Sequence, residues 1–380
     1  YSSPAGRTYI FHNDGSIPTT AATADVIITG EALSSFSISL TSGDFNFDGK
    51  VDIAVGASDY SSSRGRAYIF YNDGSIPTTA ATADVIISAS GIDYVFGYSL
   101  ASGDFNADGR ADLAVGAYDF NASFGFVHIF YNDGSIPTTE VTSDIKITGE
   151  STSNFGTSLA TGDFNSDGRT DLAVGAVAYS SGAGRSYLFY NDGSIPTTAA
   201  TADVIITGEA SSSFGSTLIS SDFNSDGRVD FAVGATSYSS STGRAYIFYN
   251  DGSIPTTAAT ADVVITGEAT GNYFSTSLAS GDFNADGKTD LAVGAYGYST
   301  STGRVYLYET RDNFAWQLQS VPSLSGGLRI NPNFSGQELK VTGEVGSGSF
   351  GVALTAGDFN ADGKTDLAVG AYAYSTNIGR

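Results

Sequence analysis

Short runs of alternating apolar and polar residues, bounded by Gly, Ser, Asn and Asp, recur along the whole chain. A period of two predicts strands, and no stretch sustains the 3.6-residue period of a helix. Around Asp282 the pattern reads as four strands: Ser277 to Phe283, Asp290 to Ala295, Arg304 to Tyr308, and Leu339 to Thr342. Turn signals such as "YNDGS" at 249–253 separate such runs. The third strand of the preceding copy is apolar on both faces, with Ala245, Ile247 and Tyr249 on one and Tyr246 and Phe248 on the other. Such a strand belongs in a sheet covered on both sides.

The run Asp-Phe-Asn begins at Asp44, Asp104, Asp163, Asp222, Asp282 and Asp358, at intervals of 60, 59, 59, 60 and 76 residues. A period near 60 residues is too long for helical solenoid repeats and suits units of four strands. The predicted fold is all-β: a β-propeller of four-stranded antiparallel blades, with a linear β-solenoid as the rival. The small residues of "AVGA" in the second strand permit close approach of neighbouring blades. Both ends share a phase, since "YSSPAGR" at Tyr1 to Arg7 matches "YSTNIGR" at Tyr374 to Arg380. Strands near Thr8 to His12 and Asp25 to Ile28 are therefore expected to complete those near Val352 to Asn360 and Asp366 to Ala371. That gives one domain over 1–380 with six blades; a piece of a longer, seven-bladed array is the alternative. An insertion at 309–337 replaces one loop between third and fourth strands and holds the single tryptophan, Trp316, as a docking arm or a plug.

Composition narrows the function. Forty acidic residues against 17 basic ones give a net charge of −23, and the basic residues form no stripe. That sign opposes nucleic-acid binding, which rests on neutralising phosphates. No apolar run is long enough for a membrane-spanning helix, so direct membrane insertion is not expected. The absence of Cys removes disulfides, thiol catalysis and zinc thiolate sites together. The chain starts at Tyr1 and has no Met, which reads as a processed product or an excerpt of something longer.

The six acidic loops carry the chemistry. In D-x-N-x-D-G-x-x-D, side-chain oxygens from positions 1, 3, 5 and 9 can converge with the main-chain carbonyl of position 7, an all-oxygen set suited to calcium. Gly at position 6 permits the sharp turn. The candidate ligands are Asp44, Asn46, Asp48, Lys50 and Asp52 in the first loop, and Asp104, Asn106, Asp108, Arg110 and Asp112 in the second. Asp163, Asn165, Asp167, Arg169 and Asp171 form the third set, and Asp222, Asn224, Asp226, Arg228 and Asp230 the fourth. Asp282, Asn284, Asp286, Lys288 and Asp290, then Asp358, Asn360, Asp362, Lys364 and Asp366, complete the series. Lys and Arg take part through their carbonyls. Position 12 is Val115 in the second loop, where an EF-hand needs Glu, so each loop is a short hairpin site running directly into a strand. Asx-type turns are the purely structural reading of the same residues. About six Ca²⁺ ions would bring −23 to −11. At a Kd of ~0.1 mM, typical of extracellular modules, millimolar calcium would contribute about 1.4 kcal/mol per site, or roughly 8 for six. Calcium could then take the place of disulfides, and sites this weak fill outside cells.

Phe-Gly at Phe96, Phe155, Phe214 and Phe350, the acidic loop, and the "AVGA" that follows resemble the FG-GAP repeats of the integrin α-subunit propeller and its bacterial and lectin relatives. Phe36 and Phe274 depart from the pattern, being followed by Ser, and Tyr118 stands where the pattern has Pro after Gly-Ala. Integrin heads have seven such repeats and this chain six, with no inserted ligand-binding domain of the integrin kind. The resemblance implies calcium on the face of the loops joining first to second strands, with ligand contact on the opposite face or between blades.

Strand alternation separates the faces independently. The loops joining second to third strands vary, as in "YDFNASFG" at 118–125 and "YSSSRG" at 60–65, while "NDGSIPTT" recurs in five copies on the other side. Aromatic residues among Ser and Asn can stack on a sugar or anchor a protein contact. The candidates are Tyr60, Tyr94, Phe120, Phe124, Tyr238, Tyr273 and Tyr298, with ordinary surface corners as the alternative. His12 and His128 occupy positions where other copies have Tyr, which reads as packing, and no enzymatic activity is expected. Asn121 and Asn333 fit the glycosylation sequon. The sequence therefore points to a non-enzymatic, calcium-binding, extracellular or cell-surface adhesion or recognition module with a protein or glycan partner. A subunit of a surface fibre, through possible self-assembly, and a multivalent lectin are the alternatives.

Overall fold

The computed structural model describes residues 6–10, 24–90, 95–118, 124–310, 317–318, 339–343, 349–358 and 363–371. Over these the chain is all-β, built from antiparallel propeller-type blades whose strands follow one another in sheet order. It divides into two compact units between Ile205 and Ile206. The first unit holds the hairpin Arg7–Ile10 with Val26–Thr29, then a blade of Phe36–Gly43, Asp52–Ala57, Arg66–Phe70 and Val85–Ser88. A second blade comprises Ser99–Gly103, Asp112–Ala117, Phe126–Phe130 and Ile145–Thr148. The third, of Phe155–Gly162, Asp171–Ala176, Arg185–Phe189 and Val204–Thr207, has the division in its last strand.

The second unit holds the blade Phe214–Ser221, Asp230–Ala235, Arg244–Phe248 and Val263–Thr266. Its next blade is Phe274–Gly281, Asp290–Ala295, Arg304–Glu309 and Leu339–Thr342, with the insertion adding Gln317–Leu318 to the third strand. A last hairpin pairs Phe350–Gly357 with Asp366–Ala371. The two hairpins are half-blades of opposite kind, a third and fourth strand at one end of the sequence and a first and second at the other. Trp316, Asn333, His12 and Asn121 lie outside the described residues.

Second, third and fourth strands match their predicted bounds closely, but first strands begin earlier except at Ser99–Gly103. In the copy at 274–281, Phe274 faces Ala295, and the next partners are Leu278 and Val293. Four residues thus advance against two, a bulge that breaks the alternation and hides the strand start. The Phe-Gly motif sits at this bulge. Gly97 has φ +85, and a Cβ there would lie 2.3 Å from the Arg66 carbonyl oxygen, so both backbone angle and space call for glycine. Where Ser replaces it, Ser37 and Ser275 are held at φ 75 and 70.

The Phe of that motif is a core anchor. Phe155 packs edge-on against Tyr187 and Phe189, at centroid distances of 5.4 and 6.0 Å. Such contacts add to plain area burial. Third strands are covered on both faces, as their composition implies: Ala67, Tyr68, Ile69 and Phe70 are all fully buried. Tyr68 and Phe70 join one core with Ile28, Val55 and Ala57, whereas Ala67 and Ile69 join another with Phe96, Val115 and Phe130 of the next blade. Blades within a unit also share backbone bridges, Gly65 to Phe96 and Ser88 to Thr139 in the first, Gly243 to Phe274 and Thr207 to Thr257 in the second.

One local feature escaped the sequence pattern. After the second strand, Ser239, Ser240 and Ser241 take φ values of 48, 57 and 61, a single left-handed turn repeated at Ser61–Ser63 and Ser299–Ser301. Each such L-residue costs roughly 1–2 kcal/mol. The turn is closed by Ser241 N donating to Ser237 O and Gly243 N to Tyr238 O, both at 3.1 Å.

Candidate metal centre

Each acidic loop joins the first strand of a blade to its second, and the loops share one hydrogen-bond frame. In the second loop, Asp108 N donates to both Asp104 Oδ1 and Asn106 Oδ1, each at 3.0 Å. Oxygens of positions 1 and 3 therefore converge on a single N–H. Gly109 N donates to Asp104 Oδ2 at 2.8 Å, and Arg110 N to Asp108 Oδ1 at 2.9 Å. The same contacts recur at 163–171, 222–230 and 282–290. At 44–52 they recur as well, and Lys50 Nζ lies 3.8 Å from Asp48. In the last loop Gly363 N donates to Asp358 Oδ2 at 2.8 Å, while Asn360 and Asp362 lie outside the described residues.

Position 9 plays a different part from positions 1, 3 and 5. Asp112 is buried, and its Oδ2 accepts from Phe105 N at 2.8 Å and Asn106 N at 3.2 Å. Its Oδ1 accepts from Asn132 N at 2.7 Å, which ties the loop to the "NDGS" turn of the same blade. Burial pushes the carboxyls of Asp112, Asp171 and Asp230 up to about 6 and that of Asp290 to about 7, and Asp52 is raised in the same way. Backbone N–H donors oppose that rise in each case, and the position-5 carboxylate of the same loop adds to it.

The donor set suits a hard cation. It is all oxygen, it carries three carboxylates, and the partners seen for the oxygens of positions 1, 3 and 5 are mostly neutral N–H groups that leave lone pairs available, whereas Asp112 Oδ2 already accepts two N–H bonds. Among the described residues, no three Asp, Glu, His or Cys side chains already stand grouped as a metal cluster. Positions 1, 3 and 5 are brought together at the exposed tip, while position 9 lies beneath as a buried strut.

The corner residues fall into distinct environments. Tyr60, Tyr238 and Tyr298 each lie under a guanidinium, with Arg66, Arg244 and Arg304 at 3.7, 3.7 and 3.6 Å from the ring centroid. Tyr179 does the same beneath Arg185 and was not singled out from the sequence. Each Arg also pairs with a Glu from the "TGE" run, Glu31, Glu209, Glu268 and Glu150 respectively, at 2.7–3.0 Å. Tyr187 OH donates to Glu150 at 2.7 Å, and burial beside that carboxylate raises the Tyr187 phenol far above its ordinary value. Tyr273 stacks on Tyr296 at 4.9 Å.

The blade at 96–148 replaces this whole stack. Phe126, His128 and Ser90 stand where the others have Arg, Tyr and Glu. His128 is buried against Phe96 and Phe130 with Nδ1 3.0 Å from Ser143 Oγ, so its role is packing. Ser90 N donates to Glu140 at 2.7 Å, and Lys146 Nζ sits 3.8 Å from the Phe126 ring centroid. Phe124 at this corner is 46% exposed; Phe120 and Tyr94 lie outside the described residues.

Comparison with known proteins gives a consistent picture. The FG-GAP repeat model matches residues 36–70, 96–130, 155–189, 214–248, 274–308 and 350–380. Integrin alpha-5 of Xenopus laevis is 29% identical over 72% of this chain and 25% of its own length. Integrin alpha-PS2 of Drosophila melanogaster is 32% identical over 58% of this chain and 16% of itself. The phosphatidylinositol-glycan-specific phospholipase D of Homo sapiens is 28% identical over 73% of this chain and 35% of itself. The chain thus spans about a third or less of each of these relatives. No helix among the described residues is long and apolar enough to cross a membrane.

Proposed function

This chain belongs to the FG-GAP repeat family, and from that premise we propose that it is a non-enzymatic, calcium-stabilised recognition or adhesion module working outside cells. The observation that carries the calcium reading is the repeated convergence of position-1 and position-3 oxygens on one N–H in five successive loops. In the second loop Asp104, Asn106, Asp108 and Asp112, with the Arg110 carbonyl, would hold the ion; the other loops, about six in all, would use the matching residues. Bound calcium supplies positive charge that relieves repulsion among three carboxylates. The chain's own residues supply the rest: the position-6 glycine turns the loop, and the position-9 strut fixes it to the sheet.

Partner binding falls to the corners on the opposite side from the acidic loops. Where a Tyr–Arg–Glu stack is present, one face of Tyr60, Tyr238 or Tyr298 is already covered, leaving the outer face and edge for contact. The blade at 96–148 lacks the stack and exposes Phe124, which favours that corner as the anchor for a protein or glycan partner. The activity in the name of the phospholipase D relative stays with that protein. Two integrin relatives and the buried, packed state of His128 support a binding role instead.

The test is capture of partners on glycan and matrix-protein arrays in millimolar calcium and again in excess chelator. Capture in calcium that is lost on chelation and weakened about tenfold or more by Phe124→Ala is the expected outcome, the size of a hot-spot truncation. Calcium-dependent oligomers by light scattering, with no captured partner, would favour an assembly subunit. Capture unaffected by either chelation or the substitution would overturn the proposal.

A further inference from the structure

We propose that Asn132 and Asn191 are positioning residues that couple neighbouring acidic loops, so that a divalent cation held by one loop tightens the hold of the next. This rests on the calcium reading above. Asn132 N donates to Asp112 Oδ1 in its own blade, while Asn132 Nδ2 donates to Phe45 O at 2.6 Å in the loop of the preceding blade. The peptide that carries this carbonyl has its N–H on Asn46, which donates to Asp52 Oδ2 at 3.2 Å. One peptide group is thus gripped at both ends, by Asn132 on its carbonyl and by the strut Asp52 on its N–H. Asp112, Asn132, Phe45 and Asp52 are all at least 96% buried.

The link repeats. Asn191 N donates to Asp171 Oδ1 at 2.7 Å, and its Nδ2 donates to Phe105 O at 2.7 Å. Asn106 N, on the same peptide group, donates to Asp112. A continuous chain, buried except for the half-buried Asn106 and Asn46 N–H groups, therefore runs from Asp171 through Asn191 and peptide 105–106 to Asp112, then through Asn132 and peptide 45–46 to Asp52. Loop tips meet as well, since Arg110 lies 5.3 Å from the Phe47 ring centroid and a Cβ on Gly43 would lie 2.9 Å from the Ala111 Cβ.

The molecule holds its own control. In the second unit the position equivalent to Asn132 is Thr310, whose N–H still serves Asp290 Oδ1 at 2.9 Å. Its hydroxyl donates to Thr289 O at 2.6 Å, inside the same loop, and a threonine has no amide to reach the loop before. Fixing the strut carboxylate in one loop orients the shared peptide, then the Asn amide, then the next strut. The second ion meets a loop whose ordering is already done, which is positive cooperativity between two distinct sites. Loops 44–52, 104–112 and 163–171 therefore fill as a linked series, whereas Thr310 offers no side-chain amide from 282–290 toward 222–230.

Amide shifts of Gly49, Gly109 and Gly227 in the ¹⁵N-labelled full chain, titrated with calcium alone after chelator treatment, test this directly. Asn132→Thr copies the chain's own solution at position 310 and is expected to raise the Gly49 midpoint about fivefold, the lower end of ordinary coupling, although it alters another blade. Thr310→Asn should lower the Gly227 midpoint by a similar factor, and it decides the matter if Asn132→Thr fails to fold. Ordinary calcium shifts whose midpoints ignore both substitutions overturn the coupling and leave calcium binding standing. No calcium-dependent shift at any of the three glycines overturns the calcium reading, and the coupling with it.

Discussion

The loops at 104–112 and 282–290 share one frame of side-chain and backbone contacts, yet a different residue stands over each. Asp112 and Asp290 are equally buried and accept from the same two places, the start of their own loop and a residue twenty positions on. In one blade that residue is Asn132, which reaches the preceding loop; in the other it is Thr310, which does not leave its own. A loop motif therefore defines what can bind, while the residue across the sheet decides whether neighbouring sites know of one another. Two blades that look equivalent in their acidic runs differ in how they are wired.

The largest effect expected concerns both blades together. Removing calcium should lower the stability of the chain by roughly 8 kcal/mol if six weak sites fill in millimolar calcium, measured by denaturant melts with and without chelator. Next comes the strut. Asp112→Ala leaves two buried N–H groups and one half-buried N–H without their acceptor and should cost about 3 kcal/mol or more even in chelator. Asp290→Ala, which unpairs the buried Phe283 and Thr310 N–H groups, should cost about 2 kcal/mol or more. Asp108→Ala at the exposed tip should instead cost about 1.4 kcal/mol more in calcium than in chelator, where it gives up only the exposed hydrogen bond from Arg110 N. A tip substitution as damaging as the strut in chelator would break this division of labour.

Smaller effects sharpen the contrast between blades. Tyr187→Phe removes one hydrogen bond to a charged group in the Tyr–Arg–Glu stack and should cost about 1.5 kcal/mol in thermal melts. His128→Phe, in the blade without the stack, should cost about 1 kcal/mol or less, because its ring packs between Phe96 and Phe130 and gives up one contact with Ser143. Equal costs at the two sites would mean that the stack contributes nothing specific.

Much of this was legible in the chain because it repeats. Six acidic runs at a near-constant spacing gave the loops, the strands that flank them and the blade as a unit. The third strand's apolar character on both faces foretold two-sided burial. First-strand starts were hidden because a bulge after Phe274 destroys the alternation that marks a strand. The stack was hidden for another reason: Glu31 meets Arg66 across 35 residues and Tyr68 across 37, and nothing local in "TGE" names its partner. Tyr179 could have been found by aligning it with Tyr60 and Tyr238 in phase. Asn132 could not have been assigned its role that way, because "NDGS" reads as a turn, and its second partner, Phe45, lies 87 residues earlier.

The most direct measurement is the calcium content of the folded chain, determined by calorimetric titration after exhaustive chelation and back-dialysis. A stoichiometry of about six, with heat absent when the position-5 aspartates Asp48, Asp108, Asp167, Asp226, Asp286 and Asp362 are all replaced by alanine, is the expected result. A chain that folds, resists melting equally with and without chelator, and takes up no calcium at millimolar concentration would contradict it.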